Sequence, residues 1–143
     1  MRLFVAVELP DEIKDRLVAL SSGLHGARWV DPAQMHLTLR FVGGVDRPQA
    51  DDVADALGQV YAPRFDVALA GLGEFSARGR PSVLWAGVRP NLGRYVTSHE
   101  PFSAGPFAFD EFVLFSSVLG SEGATHIAEA AYPLHYARDA AAE

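Results

Sequence analysis

An α+β fold is predicted for this chain of 143 residues by three features of its pattern. Most segments alternate with the period of two that belongs to strands, and two stretches carry the i, i+4, i+7 apolar stripe of amphipathic helices. The resulting order is strand, helix, strands, helix, strands. With 49% hydrophobic residues the chain can fill one compact domain or two small lobes sharing an interface.

Arg2 to Leu9 sets Leu3, Val5, Val7 and Leu9 against Phe4, Ala6 and Glu8, apolar on nearly both faces, as in an interior strand covered on each side. Pro10-Asp11-Glu12 then opens a helix, with carboxylates beside its positive dipole end, an apolar stripe of Ile13, Leu17 and Leu20, and Gly23 as its stop. Ala27 to Val30 reads as a short strand with Trp29 in the core, and Asp31-Pro32 as a turn. Met35 to Val42 is the next strand, ended by Gly43-Gly44. Asp46 and Gln49 are spaced as a capping box, and Val53, Leu57 and Val60 predict a second helix ending near Tyr61, with Asp51, Asp52 and Asp55 on its solvated face.

Phe65 to Leu72 alternates again, Gly73 to Pro81 reads as a loop carrying Arg78 and Arg80, and Val83 to Val88 is an apolar strand around Trp85. No period is sustained from Asn91 to Pro106, which reads as a long loop. Phe107 to Ser117 and Thr125 to Leu134 form a hairpin about Gly120 to Gly123, and Arg138 to Glu143 is a frayed tail.

Composition narrows the function. The absence of cysteine excludes disulfide frameworks and thiolate metal sites. A formal charge of -6 argues against wrapping long nucleic acid through many phosphate contacts, yet leaves room for a pocket that takes one terminal nucleotide. No targeting signal and no membrane span is expected, so the chain reads as soluble and cytoplasmic.

The chemistry concentrates at Met35-His36-Leu37-Thr38-Leu39-Arg40-Phe41. Strict alternation would put His36, Thr38 and Arg40 on one face, toward a cleft, and Leu37, Leu39 and Phe41 on the other, with Leu37 and Leu39 buried. An imidazole, a hydroxyl and a guanidinium are the groups suited to a phosphate: a base or acid near neutral pH, a neutral donor and a fixed cation. One His-x-Thr arises by chance in about one chain in seven of this length, so it needs context. Other chemistries lack their residues. The histidines His25, His36, His99, His126 and His135 contain no i, i+4 pair, so no metal site is expected, and neither a phosphate-binding glycine loop nor a G-x-S-x-G nucleophile is present. His126 and His135 read as ordinary strand and terminal histidines.

Arg2-Leu3-Phe4-Val5-Ala6-Val7-Glu8-Leu9-Pro10, Arg28-Trp29-Val30, Met35 to Gly43 and Pro81-Ser82-Val83-Leu84-Trp85-Ala86-Gly87-Val88 supply that context. Together they resemble, in order and over most of the chain, the RNA 2',3'-cyclic phosphodiesterase family, historically the 2'-5' RNA ligases, of the 2H phosphoesterase superfamily. The resemblance implies a bilobal α+β fold, with two antiparallel sheets and outer helices around a central cleft. It also implies metal-independent and cofactor-free hydrolysis of a terminal 2',3'-cyclic phosphate to a 2'-phosphomonoester. Paired histidines act as acid and base, and threonines hold phosphate oxygens. His36 and Thr38 match the first motif as catalytic residues, and Arg40 and Arg94 as substrate-binding ones. The implied partners are RNA 3' ends or small cyclic nucleotides, met by a monomer away from membranes.

The family's second His-x-Thr-Leu-x-Arg should follow the Trp85 strand. Here Val88-Arg89-Pro90-Asn91 passes directly to Leu92-Gly93-Arg94, the tail of such a motif without its histidine and threonine. About 35 residues, a helix and part of a strand with loops, are expected to be missing between Asn91 and Leu92 of an otherwise single 1–143 domain. The alternatives are a truncated or degenerate relative that binds terminal or cyclic phosphates without turnover, and an interaction domain that kept the scaffold.

Overall fold

The structure, a computed structural model, describes residues 1–23, 26–90 and 102–135. The join at Asn91 and Leu92, with Arg94, His99 and His25, and the tail from 136 onward lie outside the described residues. Among the described residues ten elements follow one another: β1 Arg2–Glu8, α1 Asp11–Ala19, a 3-10 turn Pro32–Gln34, β2 His36–Gly44, α2 Arg47–Gly58, β3 Phe65–Ala77, β4 Arg80–Pro90, β5 Ser103–Phe109, β6 Glu111–Gly120 and β7 Gly123–Pro133. They form two antiparallel sheets, ordered β2-β1-β6-β7 and β4-β3-β5. The α+β expectation therefore holds, in two compact units: Met1–Arg64 with Phe109–Glu143, and Phe65–Ala108.

In the first unit β1 lies between β2 and β6, and Leu3 to Val7 are buried on both of its faces, as the double apolar alternation predicts. One face carries the cluster Phe4, Ala6, Val113 and Phe115. Helix α1 begins where expected: Pro10 caps it, and its carbonyl accepts from the Ile13 and Lys14 amides at 3.0 Å. Only Ile13 is buried, and the helix ends at Ala19, because the rest of its stripe finds little to cover it. The capping box of α2 is formed in full: Asp46 accepts from the Gln49 amide at 2.9 Å and its own amide donates to the Gln49 side chain at 3.0 Å. That helix stops at Gly58, three residues short of the expected end, and the Tyr132 hydroxyl ties it to β7 by donating to the Ala54 carbonyl.

The second unit differs most from expectation. Gly73 to Pro81 is no loop: β3 and β4 run through it and turn at Arg78-Gly79, with φ of 52° and 75°. Two successive positive φ values give a tight hairpin whose twist matches that of its strands, so the arginines stand at its tip. Gly73 faces Trp85 across the ladder, and a Cβ there would collide with the indole. The third strand, β5, starts at Ser103 instead of Phe107, and the Gly71 amide donates to the Phe102 carbonyl just ahead of it.

Replacing Asp46 by Ala should lower stability by about 1 kcal/mol through loss of the α2 cap, while Asn should largely preserve it. Urea unfolding of the two variants beside the parent chain measures the difference.

Candidate active site

The register of β2 against β1 decides which side chains share a face, because residues directly opposite in an antiparallel ladder project to the same side. His36 pairs with Glu8, Thr38 with Ala6 and Phe41 with Phe4, whereas Leu37 pairs with Val7 and Arg40 with Val5. The ladder skips Leu39 and Val42, each an extra residue in a bulge. His36 and Thr38 thus share the face of Phe4 and Ala6, as alternation predicts. Beyond Leu39 the order is inverted. Arg40 falls on the opposite face with Val5, and Phe41 joins the histidine face. Leu39, expected in the core, is 52% exposed, and Phe41 is 76% exposed. The expected trio of His36, Thr38 and Arg40 is therefore a pair.

His36 lies on an aromatic floor. Its ring stacks on Phe4 with centroids 5.0 Å apart and on Phe115 at 5.9 Å, and the two phenyl rings stack on each other at 5.2 Å. His126 of β7 completes the group, edge-on to His36 at 5.1 Å and to Phe4 at 4.9 Å. No pattern in the sequence points to this. His126 belongs to no motif, and only the pairing of Ser117 with His126 and with Arg2 brings β7 onto this face. Its Nδ1 is buried and makes no hydrogen bond. His135 behaves as expected of a terminal histidine, stacking on Tyr61 at 4.2 Å.

Burial lowers the His36 pKa below the ordinary 6.5, and the neighbouring His126 and, more weakly, Lys14 push the same way; a hydrogen bond with the Gln34 backbone and the Glu8 carboxylate oppose them. The imidazole is thus held toward its neutral, proton-accepting form. Gln34 also donates from its side-chain amide to the Ala124 carbonyl of β7, linking the segment before His36 to the strand that carries His126.

Beside that link opens a recess of about 630 Å³ lined by Arg28, Trp29, Gln34 and Thr125 among others. Residues 27–30 form no strand, and Trp29, expected in the core, is 38% exposed. The segment is held instead by Arg28, which donates to the Glu122 carbonyl at 2.6 Å in the β6–β7 turn. Among the described residues no three His, Cys, Asp or Glu side chains are grouped to hold a metal ion, and no helix is long and apolar enough to cross a membrane.

A histidine and a threonine two residues apart on one face of β2 can offer a proton-transfer group and a neutral donor to one ligand. The model of LigT-like phosphoesterases matches residues 7–85, more than half of the chain, and this chain belongs to that family. A protein of Archaeoglobus fulgidus named RNA 2',3'-cyclic phosphodiesterase is 35% identical over 92 residues, covering 62% of this chain and 52% of its own. One of the same name from Thermotoga maritima is 32% identical over 121 residues, covering 78% and 64%. The chain thus spans between half and two thirds of the length of these two curated relatives. Among solved structures, TT0787 of Thermus thermophilus superposes with a TM-score of 0.77 at 24% identity, over 96% of this chain and 100% of that one. Escherichia coli LigT complexed with 3'-AMP gives 0.69 at 22%, over 94% and 98%. At these identities the two structures speak for the fold.

Because the folded-state pKa of His36 is lowered, the unfolded chain takes up the proton first as pH falls. The ring should leave stability unchanged above pH 6.5, and stability should drop from there until the folded pKa is passed, then level off. Urea unfolding from pH 8 to 4 should show this slope, reduced in His36→Phe. Equal slopes in both chains would contradict it.

Proposed function

We propose that this chain hydrolyses a ribose 2',3'-cyclic phosphate, at RNA 3' ends or on small nucleotides, to a 2'-phosphomonoester. His36 moves a proton and Thr38 holds a phosphate oxygen. The observation that carries this reading is the placement of His36 and Thr38 on one face of β2, with the imidazole held toward its neutral form. The names of the relatives support it. Opening a cyclic phosphate requires removing a proton from the attacking water and delivering one to the departing oxygen, and a neutral imidazole near pH 7 suits the first task. Arg40, across the sheet by register, is left out of the set. The same proposal places the reaction in the cytoplasm, in a monomer that needs neither metal nor cofactor.

A second reading rests on one observation: the sequence contains a single His-x-Thr. On that reading the chain binds terminal or cyclic phosphates without turning them over. A dinucleotide ending in a 2',3'-cyclic phosphate separates the two, since only the first predicts a 2'-phosphate product.

His36→Ala should lower kcat/KM by about 100- to 10,000-fold with the circular dichroism spectrum retained. Thr38→Val, close in size but unable to donate, should cost about 1.5 to 3 kcal/mol of transition-state stabilisation. A variant at either position that keeps full turnover removes that residue from the mechanism. EDTA should leave the rate unchanged, and loss restored by one divalent ion would point to a different chemistry.

A further inference from the structure

The strand order places His36 and His126 on the two outer strands of the four-stranded sheet, with β1 and β6 between them. Strands lie about 4.8 Å apart, so three spacings separate the two backbones by about 14 Å. The rings nevertheless meet at 5.1 Å, each leaning inward over Phe4. No hydrogen bond at Nδ1 holds His126 there. Two imidazoles this close do not both carry a proton readily, and a charge beside it is one of the causes that hold His36 toward its neutral form, as a base facing an acid on a single phosphate requires.

We propose that His126 is the second catalytic imidazole of this site, acting as the proton donor to the leaving 3' oxygen while His36 acts as the base. The proposal rests on the hydrolytic reading above, and it supplies from β7 the histidine that the sequence lacks in a second His-x-Thr. In the step, His36 takes a proton from water as the water oxygen forms its bond to phosphorus. The bond from phosphorus to the 3' oxygen breaks, its electron pair stays on that oxygen, and His126 gives that oxygen its proton. The 2'-phosphate remains, and the two rings have exchanged protonation states. The lowered pKa of His36, to which His126 contributes, fits the base role. Glu8 and Lys14 also act on His36, and Arg2 stands level with His126 through Ser117. The Glu129 carboxylate is engaged by the Ser116 hydroxyl, at a position whose partner in β1 is Leu3, on the far face.

The test uses the full chain with two substrates, uridine 2',3'-cyclic phosphate and an aryl phosphodiester whose nitrophenolate leaves without a proton. His126→Phe, which keeps a ring on Phe4, and His126→Gln should each lose at least 100-fold in kcat on the cyclic nucleotide with KM little changed. The alkaline limb of the pH profile should disappear. On the aryl ester the loss should be under about fivefold, whereas His36→Ala should be impaired on both substrates. Wild-type turnover with His36→Ala inactive and both His126 variants active would overturn this proposal and leave the hydrolytic reading intact. Absence of wild-type turnover would overturn both. Should neither variant fold, imidazole NMR of the wild-type chain titrated with uridine 2'-phosphate decides: both ring resonances moving with one Kd supports the pair, and His36 moving alone overturns it.

Discussion

Phe4 stacked on Phe115 is the contact on which the first unit's working face depends. It joins β1 to β6 at the middle of the sheet, next to the Ala6–Val113 pair, where large apolar rings displace water from both strands. The same two rings form the surface that His36 rests on, and Phe4 touches both imidazoles. Core packing and site chemistry are therefore one arrangement. Removing the Phe4 ring would lose burial worth about 3 to 5 kcal/mol and also the floor that keeps His36 partly dry and so toward its neutral form.

How much of this was legible in the sequence depended on whether the information was local. The doubly apolar β1 and the capping box of α2 are set by neighbouring residues, and both were read correctly. The arrangement of β2 is set by its partner. Alternation within Met35 to Phe41 is regular, yet the bulge at Leu39 against β1 moves Arg40 to the far face and brings Phe41 to the near one. Trp29 misled for a similar reason. Its short apolar run has the composition of a strand, but no neighbour offers it a ladder, and a single guanidinium at Arg28 holds the segment instead. His126 was invisible because its significance lies wholly in strand order, which brings residues 90 positions apart to the same few ångströms.

Membership in the LigT-like phosphoesterases rests on residues 7–85, a stretch that contains α1, β2, α2 and β3 and with β2 the His-x-Thr. Beyond that stretch the sequence holds no second His-x-Thr. A family can keep its first motif on an intact sheet while the partner group changes, because the sheet's register, fixed by hydrophobic pairing, holds His36 whatever stands elsewhere.

The bulges in β2 have another consequence. This strand lies at the edge of its sheet, with Leu39 and Phe41 both exposed, a combination that invites another chain to add itself as a fifth strand and seed aggregation. An incoming strand needs an evenly spaced row of amide and carbonyl groups to pair with. Extra residues at Leu39 and Val42 interrupt that row and increase the local twist, so the irregularity that sorts the site's side chains also keeps the edge from serving as a template.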